Sequence, residues 1–348
     1  MEDSMDLQIP KKYVNHLNLK ETEEAIKLVK DYFEVELANQ LNLQRVSAPL
    51  FVAAGTGIND DLNGIERPVS FDLKNISNVE AEIVQSLAKW KRMALARYRF
   101  TEGSGLYTDM NAIRRDEVLD NLHSIYVDQW DWERVITRSD RNLDFLKNIV
   151  IKIYEVLKET EMVVYKKFPQ LQPFLRDEIS FLHSEELQER YPELSPRDRE
   201  DAITKEKGAV FVIGIGGKLA DGKPHDGRAP DYDDWTTLTG EKTKGLNGDI
   251  FVWNPVLEKG FEISSMGIRV DKEVLIRQLE ITDTLDRKEL MWHKMLLEDK
   301  LPLSIGGGIG QSRLCMLLLQ KAHIGEVQCG VWPDDMVRAC EKNNIFLL

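Results

Sequence analysis

An α+β fold, a mostly antiparallel β-sheet flanked by helices, is predicted for this chain by three features of its residue order. In the second half, apolar runs over 209–215, 249–255 and 260–268 succeed one another through glycine and aspartate turns, without the regular intervening helices that a parallel sheet requires. In the first half, helical spacing and strand alternation occupy separate segments. No internal repeat, low-complexity tract or clear linker interrupts the 348 residues, which read as a single domain over 19–348 behind a potentially flexible N-terminal extension over 1–18.

Each element has its own reason. Ile26, Val29, Phe33, Leu37 and Leu41 recur three or four residues apart within 21–43, the stripe of an amphipathic helix of about six turns. Residues 43–50 alternate as a strand does, and Pro49, which has no N–H, confines that strand to a sheet edge or marks its end. Ser86 is placed to cap a helix over 87–98. Past a glycine-bearing turn at 101–105, segments 106–113 and 124–132 carry strand-forming side chains and read as an antiparallel pair, joined by a loop that opens Arg114-Arg-Asp-Glu-Val118. Helices are expected over 142–168, 179–189 and 271–297. Residues 304–319 read as a short strand, four glycines in five positions, and a helix opened by Gln311-Ser-Arg313.

Composition narrows the function. With 42% hydrophobic residues the chain can bury a real core, and no run of eighteen or more uncharged apolar residues is present to span a membrane. The acidic N-terminus lacks the features of a secretory signal, so a cytoplasmic location is expected. A formal net charge of -13 disfavours a general nucleic-acid surface. Three cysteines and six histidines show neither disulfide nor zinc spacing, which leaves oxygen ligands for any metal.

The glycine run allows close approach of backbone to a ligand, and the helix start behind it favours an anion, although a tight glycine turn under a packed helix is equally compatible. A dinucleotide fingerprint fails because the third glycine is missing and little chain follows. Val212-Ile-Gly-Ile-Gly-Gly-Lys218 fails as a phosphate loop because Val212 replaces its first glycine and Leu219 the magnesium-binding hydroxyl. Arg114, Arg228 and Arg269 each lie near a predicted strand end among carboxylates, where arginine clamps phosphate or carboxylate; taken singly, each is equally a surface ion pair.

Together these segments resemble the catalytic core of class II aminoacyl-tRNA synthetases. Pro49, Arg114 and Arg313 take the places of that core's three motifs: a long helix and strand ending in proline, an arginine strand-loop-strand, and strand-glycines-arginine-helix. Longer words are similar to the ammonia-dependent asparagine synthetases, or aspartate–ammonia ligases. They are Ser86-Leu-Ala-Lys-Trp-Lys-Arg92, His123-Ser-Ile-Tyr-Val-Asp-Gln-Trp-Asp-Trp-Glu-Arg134, Arg228-Ala-Pro-Asp-Tyr-Asp-Asp-Trp235, Leu246-Asn-Gly-Asp-Ile250 and Ser264-Ser-Met-Gly-Ile-Arg269. The likeness runs from about 26 to 333; the N-terminal extension and the segment after Trp332 depart from it.

That resemblance implies a homodimer that converts L-aspartate, ATP and ammonia to asparagine, AMP and pyrophosphate through a β-aspartyl adenylate, with no nucleic-acid or membrane partner. It implies that Arg114 holds the α-phosphate, that Gln129 donates to the carbonyl or phosphate oxygen, and that Asp60, in Gly57-Ile-Asn-Asp-Asp-Leu-Asn-Gly64, orients ammonium or takes its proton. Lys91, Asp131 and Ser265 would contact aspartate, Lys91 at its α-carboxylate and Asp131 at its α-ammonium. Arg228, Asp233, Asp249, Arg269, Arg313 and Gly308 would surround the nucleotide, and Asp249 and Glu262 are the candidates for Mg2+. Taken alone, Asp60 also fits an Asx turn, Lys91 a solvated helix face and Asp249 the end of a turn. Two rivals are a synthetase that charges transfer RNA, opposed by the acidic charge and by the absence of chain left for an anticodon-binding domain, and a catalytically silent paralogue, opposed by the presence of Arg114 and Arg313.

Overall fold

A computed structural model describes residues 7–60, 62 and 66–348. Residues 1–6 of the expected extension, and 61, 63 and 64 of the Gly57–Gly64 word, lie outside the described residues. Helix α1 (Leu19–Leu41) starts at a capping box: the Asn18 side chain accepts the Glu21 N–H and the Glu21 carboxylate accepts the Asn18 N–H. It ends where Asn42 turns left-handed at φ 55°. Strand β1 (Leu43–Arg45) follows, then three short strands, β2 (Phe51–Ala53), β3 (Ser70–Asp72) and β4 (Glu80–Ile83), and helix α2 (Ala88–Tyr98). Next come β5 (Gly105–Ile113), β6 (Tyr126–Val135), α3 (Leu143–Lys167), β7 (Ser180–His183), α4 (Ser184–Arg190) and α5 (Pro196–Lys207). The chain closes with β8 (Ala209–Ile213), β9 (Asn247–Asn254), β10 (Lys259–Ile268), α6 (Lys272–Ile281), α7 (Met291–Leu297), β11 (Ser304–Gly310), α8 (Gln311–Leu318) and α9 (Asp334–Lys342).

The expected α+β architecture is present. Eight strands form one sheet in the order β1-β5-β6-β11-β10-β9-β8-β7, antiparallel except for the β1–β5 and β7–β8 pairs at its two edges. Pro49 lies just beyond the edge strand β1, where its missing N–H disrupts no ladder. Strands β2, β4 and β3 make a separate small sheet that the sequence did not announce, because their side chains are largely exposed and show no buried face to set a period.

Alternation along the central strands sets up two faces. Trp130, Trp132, Ile305, Ile309, Met266 and Ile268 turn to the core, where they meet Val29, Phe33 and Leu37 of α1, the apolar stripe of α3, and α8. Phe33 and Trp130 meet at 4.9 Å between ring centroids, and burying one such side chain contributes about 1.5–3 kcal/mol. The opposite face carries the polar side chains of the site. Residues 7–18 are docked: Leu7, Ile9 and Tyr13 pack against the cluster of Ala322, Met336, Cys340 and Ile345, and the Tyr13 hydroxyl donates to Glu326 at 2.7 Å.

Three local expectations are corrected. Residues 179–189 are not one helix: 180–183 form β7, drawn into the sheet by pairing with β8 and by the Phe181–Phe211 ring contact, and α4 begins behind a His183 cap. Segment 271–297 breaks into α6, a 3-10 turn (Leu285–Glu289) and α7, since the Thr282 hydroxyl bonds back to Gln278 and Asp283 adopts φ 55°. At the start of α2 the residue in the cap position is Leu87, and Ser86 only accepts the Ala88 N–H at 3.1 Å.

Candidate active site

The site floor follows from register. Gln129, Asp131 and Glu133 of β6 stand opposite Gly310, Gly308 and Gly306 of β11, and Gly308 and Gly306 stand opposite Ser265 and Gly267 of β10. All lie on the face away from the core. The row Thr108, Asp131, Gly308, Ser265 and Asp249 crosses five strands in register. A β-bulge between Glu262 and Ser264 shifts the alternation by one residue, which lets Glu262 face the same cavity as Ser265.

This register explains the glycines. None of the four has a positive φ, so the run is extended strand and not a tight turn. A Cβ at Gly306 would overlap the Glu133 carboxylate, and one at Gly308 would overlap the Gln129 amide oxygen and stand 3.1 Å from Asp131 Oδ1. The missing side chains make room for the polar side chains of β6. Gly308→Ala is therefore expected to lower turnover about a hundredfold, by displacing Gln129, while leaving thermal unfolding near wild type. Unchanged turnover would show that the Gln129 position does not matter.

Above this floor lies a cavity of about 450 Å³. Asp60, Lys91, Arg114, Gln129, Asp131, Arg228, Asp233, Glu262, Ser265, Arg269, Gly308 and Arg313 all line it; Asp249 does not. Asp60 also makes an Asx turn, accepting the Leu62 N–H at 3.2 Å. Lys91 is not on a solvated helix face. It is 1% exposed, and its ammonium donates to Asp131 Oδ1 at 2.6 Å and to the Gly307 carbonyl at 3.0 Å. Burial pulls the Lys91 ammonium below its ordinary range, more than Asp131 restores. The second oxygen of Asp131 is buried with no hydrogen-bond donor among the described residues, an acceptor open to a ligand.

The arginines divide into committed and uncommitted. Arg269 grips Glu133 through Nε and Nη2 at 2.9–3.1 Å and donates from Nη1 to Asp233, while its guanidinium lies 5.8 Å from the Tyr232 ring centre. Its charge is held more firmly than usual by Glu133 and Asp233, against the cost of burial. Arg228 pairs with Asp249, and Arg313 with the Glu262 carboxylate at 3.2 Å. Arg114 differs. No hydrogen bond or ion pair to a described residue engages its guanidinium, and its Nε is buried without an acceptor. The Gln129 side-chain amide likewise makes no hydrogen bond among the described residues.

Asp249 and Glu262 differ as candidate metal ligands. Burial pushes the Asp249 carboxyl up to about 7 against the pull of Arg228, with which it is ion-paired, and it does not line the cavity. Burial also raises Glu262, but Arg313 and Arg228 hold it below its usual range, as a carboxylate facing the cavity. Among the described residues no group of three or more His, Cys, Asp or Glu side chains could cage a metal. Glu262 fits a magnesium ion held mainly by substrate phosphates, and Asp249 does not.

The start of α8 corrects the expectation that its N–H groups await a ligand anion. Asp128 already occupies that place, accepting the Ser312 N–H at 3.0 Å and its hydroxyl at 2.8 Å. Two groups of charged residues were missed. Glu133, fully buried, accepts from Arg269 and from the Ser304 hydroxyl at 2.7 Å; the two-residue step Gln129, Asp131, Glu133 was the signal that could have found it. Asp231, also buried, binds Lys89 at 3.1 Å, His293 at 2.9 Å and Arg287 at 3.4 Å, and nothing in the local sequence joins those four.

A family model described as aspartate-ammonia ligase matches residues 20–344. An aspartate–ammonia ligase of Clostridium perfringens is 60% identical over 342 residues, 98% of this chain and 99% of that one. One from Bacteroides fragilis is 59% identical over 339 residues, 97% of this chain and 98% of that one. Among solved structures, the Pyrococcus horikoshii asparaginyl-tRNA synthetase complexed with asparaginyl-adenylate matches at a TM-score of 0.66 and 16% identity, over 90% of this chain and 70% of that one. The Entamoeba histolytica asparaginyl-tRNA synthetase, also with asparaginyl-adenylate, matches at 0.65 and 14%, over 89% and 66%. The structural likeness bears on the fold, which is that of the class II synthetase core. No helix among the described residues is long and apolar enough to cross a membrane.

Proposed function

The chain belongs to the aspartate–ammonia ligase family, and from that premise we propose that it joins L-aspartate and ammonia into L-asparagine with ATP, through a β-aspartyl adenylate, releasing AMP and pyrophosphate. The observation that carries the reading is one cavity holding both an amino-acid clamp, Lys91 with Asp131, and an uncommitted arginine–amide pair, Arg114 with Gln129. An ionised carboxylate is a poor electrophile. Its β-oxygen first attacks the α-phosphorus of ATP while the bond to pyrophosphate breaks. Ammonia then attacks the β-carbonyl carbon and loses a proton, and the tetrahedral adduct expels AMP.

Fixed donors lower both barriers, since charge spreads over phosphate oxygens in the first step and gathers on one oxygen in the second. Arg114 binds the α-phosphate and Gln129 donates to the developing oxyanion. Lys91 takes the α-carboxylate of aspartate, the open oxygen of Asp131 takes its ammonium, and Ser265 contacts it from β10. Asp60 orients the incoming nitrogen or accepts its proton. Arg313, Arg228 and Gly308 border the nucleotide; Arg269, paired with both Asp233 and Glu133, holds that wall in place with them. Magnesium arriving with ATP would be held by Glu262 and would neutralise phosphate charge. A homodimer belongs to the same reading: β1 is a sheet edge, and Leu50, Phe51 and Phe71, on and next to the small sheet, are exposed.

Isotope exchange between pyrophosphate and ATP tests the first step. Exchange is expected with aspartate present and ammonia absent, and none without aspartate. Exchange that needs ammonia would sink the adenylate.

A further inference from the structure

A second cavity, of about 220 Å³, lies beside the first. The two share Asp60 and Gln85 as lining residues, so these side chains form the partition between them. The outer rim includes Ala53 and Gly55, both exposed, and the inner end reaches the buried residues Gln85 and Asp231. Gln85 Nε2 donates to the Asp60 carbonyl at 2.9 Å, which fixes the amide and turns its oxygen away from that bond. That oxygen is buried and accepts no hydrogen bond from the described residues; nor does Asp231 Oδ1, although Asp231 Oδ2 is engaged by Lys89 and His293. Both unsatisfied atoms are acceptors, and both belong to residues that line the smaller cavity. Buried acceptors without donors call for a ligand that donates.

Among the described residues, three carboxylates, Asp60, Glu82 and Asp231, line this cavity against two cations, Lys89 and Arg287, a balance that does not suit an anion such as phosphate. Ammonium offers donors alone, and it is the smallest reactant of the proposed reaction. Aspartate and ATP, once bound, occupy the larger cavity and its open side, whereas the partition at Asp60 and Gln85 stays reachable from the smaller one.

Resting on the function proposed above, we propose that the smaller cavity is the entry and holding site for ammonium, with Gln85 Oε1 and Asp231 Oδ1 as its acceptors at the inner end and Asp60 at the passage to the adenylate. Gln85 acts as a positioning residue for the nucleophile.

The test uses the full chain with ammonium chloride as the probe, in Gln85→Leu and Ala53→Trp. The first removes the buried acceptor. The second places a large side chain at an exposed rim position, where folding is not at risk. In both, the KM for ammonium is expected to rise, roughly ten- to hundredfold in Gln85→Leu, while aspartate-dependent pyrophosphate exchange, which needs no ammonium, stays within about twofold of wild type, as does kcat at saturating ammonium in Ala53→Trp. An unchanged ammonium KM in either variant would overturn the route, as would a loss of exchange in parallel with amidation in Gln85→Leu. Failure of the wild-type protein to exchange pyrophosphate would strike the underlying function instead, so the two failures are told apart.

Discussion

Arg114→Ala is expected to lower aspartate-dependent pyrophosphate exchange on the order of a thousandfold without lowering the unfolding temperature. The asymmetry follows from where the charge is committed. Arg228, Arg269 and Arg313 each have a carboxylate partner, so truncating them would leave that carboxylate short of its cation. The Arg114 guanidinium has no such partner among the described residues, and it lines the cavity from the end of β5. Its stabilisation is therefore reserved for a ligand that carries negative charge. Arg114→Lys should recover part of the activity, because the charge returns but the bidentate fork does not. Exchange assays beside thermal melts measure both arms; full activity, or equal loss of stability, would remove the assigned role.

The second large effect is on stability. Glu133 is fully buried between Arg269, Ser304 and, at 3.9 Å, Lys91. Removing one partner of a buried ion pair typically costs about 3–5 kcal/mol, so Glu133→Ala is expected to lower the unfolding temperature by roughly 10 °C and to abolish activity. Burial raises the Glu133 carboxyl, but Arg269 and Lys91 outweigh it and hold its folded pKa below the unfolded value. A carboxyl depressed in this way contributes stability that is present above the unfolded carboxylate range and is lost as pH falls through the folded pKa. The difference in melting temperature between wild type and Glu133→Gln should therefore shrink in acid. A constant difference from neutral pH into acid would contradict the linkage.

These two residues also mark how far sequence reading reaches. Helix α1 was legible because its stripe follows one period and meets one core, and the strand pair around Arg114 because its strands carry β-branched and aromatic side chains on both sides of a charged loop. The glycine run was legible as a feature but not as a geometry. Read alone it fits a turn; only the register of β6 on β11 shows that Gly306 and Gly308 are empty so that Glu133 and Gln129 can cross them. Arg114 and Arg313 could be named from their motifs, whereas which of the site's arginines lacks a partner among the described residues is decided in three dimensions.

Other features left no local trace. Asp128 satisfies the start of α8 from 184 residues away, and Asp231 meets His293 across 62 positions. The break of 271–297 at Asp283 was lost because apolar spacing continues through it, while the small sheet of β2, β3 and β4 has too little buried surface to impose a pattern. The bulge that turns Glu262 into the cavity inserts one residue, invisible to an alternation rule that assumes none.

The central claim is that aspartate is activated at its β-carboxylate by transfer of AMP. It is tested most directly with aspartate carrying heavy oxygen in that carboxylate, incubated with ATP and ammonium chloride. One labelled oxygen per turnover should appear in AMP, in step with equal amounts of asparagine and pyrophosphate. Label in inorganic phosphate with ADP as the nucleotide product, or aspartate recovered on RNA, would contradict it.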